Sequence, residues 1–133
     1  MKTTTNIFLI IALSLLTLTA YADTTVNTNV TGNYTCQRTD SSNNTSSLPL
    51  SVIKTGDTYT LEWDDSDGNP SMYGTGVIHP GMANVLSSSY WSLTSSDISG
   101  LEIFTIKPDG SLQADWISQS GKDSGSETCK KSK

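Results

Sequence analysis

The segments TYTLEWD (residues 58–64) and SLQADWIS (residues 111–118) decide the fold that the sequence predicts. In the second segment, single residues separate Leu112, Ala114 and Trp116, and the first segment shows the same spacing of apolar side chains. Successive side chains of a β-strand point to opposite faces of the sheet. Both segments are therefore predicted to be strands that turn one apolar face towards a core.

Similar runs, rich in Thr, Tyr, Trp, Val and Ile, follow one another from residue 32 onward. Turn-forming sequences such as Asp-Gly and Pro-Gly separate them, and connections this short join antiparallel neighbours. No stretch has the apolar spacing of a helix. The sequence predicts an all-β protein, a small antiparallel up-and-down β-barrel of about eight strands, with a β-sandwich as the alternative. The predicted runs are 32–39, 48–54, 58–64, 72–79, 83–92, 101–107, 111–118 and 126–130.

The two cysteines bear on whether the sheet closes. Cys36 lies in the first run and Cys129 in the last, and an even count in an exported chain predicts a disulfide. Such a bond needs Cα atoms about 4.4–6.8 Å apart, so it would make the first and last strands neighbours. In a meander this closes a barrel, although the terminal strands of a sandwich could also meet.

The first 22 residues have the three parts of a secretory signal peptide. Lys2 is followed by an apolar run over residues 7–18 and by Ala20-Tyr21-Ala22, which predicts cleavage before Asp23. The run is too short for a membrane span, which needs about 20 residues. We expect a signal peptide over 1–22, a flexible lead-in over 23–31, one barrel domain over 32–133, and a secreted or periplasmic location in a bacterium.

The charge balance limits the partners. The chain has 8 Lys and Arg against 13 Asp and Glu, a formal net charge of −5. Nucleic acids and anionic membranes attract clustered positive charge, so we expect neither as a partner. No second apolar run predicts a membrane span, and the sequence leaves the oligomeric state open.

The sequence gives little sign of catalysis, metal binding or a cofactor. The acidic stretch DDSDGN (residues 64–69) lacks the Gly and Glu spacing of a calcium loop and is interpreted as a solvated turn. His79 is the single histidine, so zinc and Ser-His-Asp chemistry are not expected. The Asp and Glu residues are interpreted as lying in turns or on polar faces. We expect a protein that is not an enzyme, with no catalytic residue, metal site or cofactor.

The three tryptophans are the main pointer to a binding site. Trp63, Trp91 and Trp116 lie late in the third, fifth and seventh runs, which are parallel to one another in a meander. All three are therefore predicted at one end of the fold, with Tyr34 as a further member. Spacing predicts that Trp63 and Trp116 point inward, whereas it leaves Trp91 open. Aromatic rings at a barrel mouth can stack on a ligand, and they can also simply fill the core.

The chain resembles a group of small secreted bacterial β-proteins, some of which carry a fibronectin-binding label. The shared pattern consists of Gly32-Asn33-Tyr34, Gly56-Asp57-Thr58-Tyr59 with Trp63, Gly74-Thr75-Gly76, and Pro108-Asp109-Gly110-Ser111-Leu112 with Trp116. The layout is also similar to the eight-stranded barrels of avidins and lipocalins, which implies a ligand-binding barrel. Cys36 stands where avidins carry a biotin-binding Asn, so biotin binding is not expected. Tyr34-Thr35-Cys36 resembles a motif of periplasmic lysozyme inhibitors.

These observations predict a non-catalytic binding protein. In the first hypothesis a small apolar or aromatic ligand binds at the tryptophan end. In the alternative, the protein is a surface or periplasmic interaction module, an adhesin or enzyme inhibitor, that contacts an extracellular or periplasmic protein through its loops. Buried rings around an open lumen favour the first, and a filled lumen with exposed aromatic residues favours the second.

Overall fold

The computed structural model describes residues 29–133 and consists of eight strands. The predicted signal peptide and residues 23–28 of the predicted lead-in lie outside these residues. Strands, turns and bends account for the regular structure of the described part, which holds no helix long and apolar enough to cross a membrane. The strands are β1 Gly32–Asp40, β2 Thr45–Thr55, β3 Thr58–Asp64, β4 Pro70–His79, β5 Met82–Ser92, β6 Ser99–Ile106, β7 Leu112–Ser118 and β8 Ser124–Lys131.

The strands form a closed antiparallel barrel. Each strand pairs with the next, and β1 pairs with β8 to close the sheet. Cys36 and Cys129 are direct partners in that last pairing and form a disulfide with Cα atoms 4.0 Å apart. The predicted up-and-down barrel of eight strands is confirmed, and so is the disulfide, whereas the sandwich alternative is wrong.

The alternation in the sequence sets the inward face. Leu112, Ala114 and Trp116 of β7 are all buried, as predicted, while Ile117, the next residue along the strand, is exposed. Gly74 on β4 makes room for an aromatic ring: a Cβ there would lie 3.0 Å from Cζ3 of Trp63. The absence of a side chain at this position therefore leaves space for the Trp63 ring.

The barrel has two different ends. The connections after β2, β4 and β6 and the described residues before β1 lie at one end, and the connections after β1, β3, β5 and β7 lie at the other. The apolar side chains that fill the lumen towards the first end are called the closed half. The second end is called the mouth. The closed half comprises Val30, Tyr34, Leu50, Val52, Leu61, Leu86, Phe104, Ile106 and Leu112.

The chain enters the core earlier than the sequence suggested. Val30 lies in the predicted lead-in, yet it is fully buried and its carbonyl accepts a 2.8 Å hydrogen bond from the Tyr34 hydroxyl. The ordered part of the domain therefore includes at least two residues before Gly32. Val30 stands between the polar residues Asn29 and Thr31, and this local sequence gives no periodic signal from which its burial could be predicted.

Gly100 lies within a strand, although the sixth run predicted from the sequence begins only at residue 101. Both Ser99 and Gly100 belong to β6. A Cβ on Gly100 would lie 2.1 Å from the Ile117 carbonyl oxygen and 2.6 Å from the Tyr90 hydroxyl. The glycine is required because the backbone of β7 and the Tyr90 ring approach it closely, as glycines within strands often permit.

Candidate ligand site at the mouth of the barrel

A charged cluster crosses the lumen above the closed half. Nη1 of Arg38 on β1 donates to Oε2 of Glu102 on β6 at 3.0 Å and to Oε2 of Glu127 on β8 at 2.6 Å. Both carboxyl side chains are fully buried, and the Arg38 side chain is 11% exposed. Three strands that are distant in sequence thus deliver one cation and two acids to the same level of the barrel.

The protonation of Glu102 follows from this burial. Loss of hydration and, to a smaller extent, the neighbouring Glu127 carboxyl raise the pKa of Glu102, and Arg38 only partly opposes them, so that the pKa is about 8. At neutral pH Glu102 is therefore mostly a neutral acid. Burial works against the charge of Arg38, but its two acidic neighbours outweigh that effect and raise its pKa. Arg38 thus keeps its charge between the two carboxyl groups.

Aromatic rings surround the charged cluster. The Arg38 guanidinium carbon lies 4.3 Å from the Trp116 ring centroid and 4.9 Å from that of Tyr90, which is cation–π geometry. Trp63 lies deeper, and its Nε1 donates a 2.9 Å hydrogen bond to Oε1 of Glu127. The aromatic rings and the ions therefore form one layer, which we call the mouth layer: Arg38, Trp63, Tyr90, Glu102, Trp116 and Glu127.

Two polar atoms of the mouth layer have no partner among the described residues. They are Oε1 of Glu102 and Nε1 of Trp116, and both are buried. Glu102 and Trp116 face each other across the β6–β7 pairing. Buried polar groups are nearly always hydrogen-bonded in proteins, so these two unpartnered atoms set the mouth layer apart from the apolar closed half.

A cavity of about 270 Å³ opens above this layer. Arg38, Tyr90 and Trp116 line it from the mouth layer, together with Met72 from β4. The two loops after β5 and β7 complete its rim with Asp97, Ile98, Ser120 and Asp123. Among residues 29–133, apolar side chains thus fill the lumen in the closed half, and the cavity opens at the mouth.

A second and larger concavity, of about 610 Å³, lies on the outer face of β5, β6 and β7. Trp91, Leu101 and Ile117 line it, and these side chains are 42%, 60% and 47% exposed. Their outward direction follows from the strand pairing, because Ser89 pairs with Leu101 and Leu101 with Ile117 on the same face of the sheet. This apolar surface is separated from the lumen by the sheet itself.

The structure places the four predicted binding residues in different surroundings. Trp63 and Trp116 point inward near the mouth, as the strand directions and spacing predicted. Trp91 lies near the same end, but it points outward. Tyr34 does not join them: it lies near the start of β1, in the closed half, where its ring contacts Lys131 and its hydroxyl contacts Val30. Trp116 alone of the four lines the mouth cavity.

The sequence interpretation missed the acids in the lumen. It assigned the Asp and Glu residues to turns or polar faces, which is wrong for Glu102 and Glu127. Glu102 stands between Leu101 and Ile103, which look like core residues but are exposed. The available signal was spacing: Glu102 is two residues from Phe104, Glu127 is two from Cys129, and Arg38 is two from Cys36.

Two groupings of potential metal ligands deserve a structural description. Cys36, Cys129 and Glu127 lie close together, but the sulfurs form the disulfide and cannot act as thiolates. In the acidic turn, the Asp65 carboxylate accepts backbone hydrogen bonds from Asp67 and Asn69. Those bonds, above all the one from Asn69, lower the pKa of Asp65. The absence of a calcium site there stays a prediction.

Comparison with known proteins places the fold but not a family. No family model and no curated protein matches the chain. Among solved structures, the redesigned β-barrel b11L5F_LGL has a TM-score of 0.63 at 14% identity and covers 78% of this chain and 92% of its own. The redesigned barrel mFAP0, bound to DFHBI, has a TM-score of 0.61 at 16% identity, with coverage of 77% and 98%. The barrel mFAP1, also bound to DFHBI, has a TM-score of 0.59 at 16% identity, with coverage of 76% and 94%.

Proposed function

We propose that this is a non-catalytic binding protein that holds a small, mainly apolar or aromatic molecule in the mouth of the barrel. The observation that carries the proposal is the cavity of about 270 Å³ between Trp116, Tyr90 and Met72, with Arg38 among its walls. Ligand pockets commonly combine apolar and aromatic walls with a few polar groups, and this volume is just below the usual range of about 300–1,000 Å³. It suits a molecule of one or two rings.

The unpartnered atoms of the mouth layer and the similar structures support this proposal. Nε1 of Trp116, a residue that lines the cavity, is a donor without an acceptor. The redesigned barrels mFAP0 and mFAP1, which share the fold, are bound to the small molecule DFHBI. A barrel of this size is therefore a reasonable host for a small ligand.

Two further parts of the proposal concern catalysis and location. His79 is the exposed last residue of β4, at the end of the barrel opposite the mouth, where its Nδ1 accepts a hydrogen bond from the backbone N–H of Gly81. It is thus poorly placed to act on a molecule in the mouth, which supports a role in binding. The Cys36–Cys129 disulfide supports export to an oxidising compartment, since such bonds persist mainly there.

The three indole N–H groups provide the test. We would record ¹H–¹⁵N spectra of the oxidised protein while titrating neutral aromatic molecules such as 2-phenylethanol, after assigning each indole resonance with a Trp→Phe variant. A ligand in the mouth should shift the Trp116 resonance most, and the Trp91 resonance should stay in place, because its ring lies outside the sheet. Shifts confined to Trp91 would contradict the proposal.

A matched pair of variants tests the same cavity by blocking it. Ile98 lines the mouth from the loop after β5, whereas Ile53 lies exposed on β2 and lines neither of the two concavities. Ile98→Trp should abolish the Trp116 shift because the larger ring occupies the cavity. Ile53→Trp, which adds the same ring to the outer surface, should leave it unchanged. Equal effects of both variants would argue against the mouth as the site.

A second candidate function rests on the outer concavity. Trp91, Leu101 and Ile117 expose a continuous apolar surface, and exposed apolar patches often mark protein interfaces. This arrangement supports an interaction module that contacts an extracellular or periplasmic protein. The same indole resonances distinguish the two functions. A protein partner that binds this face should broaden and shift the Trp91 resonance and leave that of Trp116 unaffected.

A further inference from the structure

The charges around the mouth are unequal. Asp97 and Asp123 line the cavity from the loops after β5 and β7, and Arg38 is the one cationic side chain among its lining residues. Arg38, however, is already bonded to Glu127 at 2.6 Å and to Glu102 at 3.0 Å. Its charge is therefore compensated from below, and the two aspartates are left as the excess charge at the rim.

The two rim aspartates remain accessible to a bound molecule. Asp97 is exposed, and Oδ1 of Asp123 accepts hydrogen bonds from the Ser41 hydroxyl and the Ser124 amide, while no hydrogen bond to its Oδ2 is observed among residues 29–133. The bonds from Ser41 and Ser124 hold the Asp123 carboxylate in place. Field lines from charges around a cleft concentrate within it, so the mouth favours positive ligands.

The walls below the rim are apolar and flat. Trp116 and Tyr90 stack against the Arg38 guanidinium, and Met72 and Ile98 add aliphatic surface. The Trp116 indole nitrogen is buried without an acceptor, opposite the unpartnered Oε1 of Glu102. The cavity wall at Trp116 therefore contains a donor that no group among residues 29–133 satisfies, which is an observation independent of the acidic rim.

We propose, building on the small-ligand function above, that the molecule held in the mouth is a small organic cation. A protonated amine would lie at the rim beside Asp97 and Asp123, and a flat apolar body would pack against Trp116, Tyr90 and Met72. The opposite preference, for an anion bound by Arg38, is disfavoured because two carboxyl groups already bind Nη1 of that guanidinium. The closed half below the mouth layer limits the body to one or two rings.

Three probes of the same shape test the charge preference. We would measure the binding of 2-phenylethylamine, 2-phenylethanol and 3-phenylpropionate to the full-length oxidised protein by isothermal titration calorimetry at low ionic strength. The amine should bind about tenfold more tightly than the alcohol, and the carboxylate should bind most weakly. Raising the salt concentration should remove much of the advantage of the amine, since charges at the rim are exposed to screening.

A charge-matched pair of double variants locates the effect. Asp97→Asn with Asp123→Asn should bring the affinity of the amine to within about twofold of that of the alcohol measured on the same variant. The control, Asp57→Asn with Asp115→Asn, removes the same net charge from the closed end and the outer face and should keep the preference. A preference that both double variants retain would overturn the proposal.

The outcomes separate this proposal from the function on which it rests. If the alcohol binds in the mouth and the amine binds no better, the proposed preference for a cation is wrong, but the proposed small-ligand site is supported. A stronger affinity for the carboxylate would also overturn the proposed preference for a cation and would indicate that Arg38 selects an anion. If none of the three probes binds and none moves the Trp116 resonance, both proposals fail together.

Discussion

The two halves of the lumen solve the same packing problem with opposite chemistry. In the closed half, apolar side chains such as Leu61, Phe104 and Leu112 fill the space and are buried completely or nearly so. In the mouth layer, an ion cluster and two polar indoles fill a space of similar width, and a cavity remains above them. The closed half is what a stable barrel requires, whereas the mouth layer accepts costly buried charge.

That difference suggests that the two halves of the lumen serve different purposes. Burying charged groups opposes folding unless they are paired, and replacing a buried ion cluster with apolar residues is often neutral or stabilising. A protein that needed only stability could continue the apolar packing of Phe104 upward to the mouth. The cluster of Arg38, Glu102 and Glu127 instead fixes the aromatic rings below an open cavity, as expected for a site that must be ordered in advance of ligand binding.

The largest effect is expected at the seam that joins the two halves. On β1, Cys36 lies between Tyr34 of the closed half and Arg38 of the mouth layer, and its bond to Cys129 spans 93 residues. Closing a loop of this length in the unfolded chain is worth about 4–5 kcal/mol in the chain-entropy model. The variant Cys36→Ala with Cys129→Ala should lose about that much free energy of unfolding in urea titrations. A loss below about 1 kcal/mol would show that β1 and β8 hold the barrel closed without the bond.

Removing Arg38, the cation of the mouth layer, should lower the free energy of unfolding about as much as a core truncation in the closed half. Arg38→Ala leaves Glu102 and Glu127 buried without their shared donor, so we expect a loss of about 3–5 kcal/mol in the free energy of unfolding. Leu61→Ala, in the closed half, should cost about 2–5 kcal/mol by creating a cavity. Urea denaturation of both variants measures the two costs.

A combined variant sharpens this comparison. If Arg38→Met is joined by Glu102→Leu and Glu127→Leu, no buried charge is left unpaired, and most of the stability lost in Arg38→Ala should return. The same protein should lose its affinity for mouth ligands. Restored stability with unchanged binding would contradict the view that the ion cluster serves the site.

The pH dependence of stability should come from the mouth layer. The pKa of Glu102 is raised to about 8 in the folded protein, above its ordinary value of 4.5. Between these two values the folded protein keeps a proton that the unfolded chain releases, so the free energy of unfolding falls as the pH rises. The slope should approach about 1.4 kcal/mol per pH unit, and the loss should end above about pH 8.

Glu102→Gln provides the control for this slope. The amide is close in shape to the neutral acid and cannot ionise, so the variant should show a flatter dependence of the free energy of unfolding between about pH 5 and pH 8. Urea titrations at several pH values measure both proteins. An identical slope in the variant would show that another group is responsible and that Glu102 is ionised in the folded state.

The contrast between the halves also explains what the sequence could predict. Alternation at Leu112, Ala114 and Trp116 was sufficient to predict strands, and strand direction was sufficient to predict the end that holds the tryptophans, because each depends on local spacing or on direction along the chain. The positions of the cysteines favoured a closed barrel but left the sandwich open. The mouth layer depends on which strands face one another across the lumen. Arg38 and Glu127 are 89 residues apart, and no local pattern links them.

Outward-facing apolar residues added to that difficulty. Leu101 and Ile103 frame Glu102, so the strand looks as though its odd positions are buried, although both side chains are largely exposed. Tyr34 shows a similar limit: its residue type suited the tryptophan end, but its place at the start of β1 puts it in the closed half. Direction along a strand was the better guide, and residue type was not sufficient.

The smallest expected effect is a difference in stability between variants of two tryptophans of the mouth layer. Truncating either side chain removes a similar volume. Trp63 donates a hydrogen bond to Glu127 at 2.9 Å, whereas the Nε1 of Trp116 has no partner among the described residues. Trp→Phe at either position removes an N–H and part of a ring, but only at position 63 does it take a donor from a buried carboxyl group. Hydrogen bonds to charged groups are worth about 1.5–3 kcal/mol, so Trp63→Phe should be less stable than Trp116→Phe by about that amount in urea titrations. Ligand binding should show the reverse order, because Trp116 lines the cavity and Trp63 is fully buried beneath it. If Trp116→Phe were the less stable of the two and left binding intact, then Trp116 would be ordinary core, and the distinction between a packed half and a binding half of the lumen would have to be abandoned.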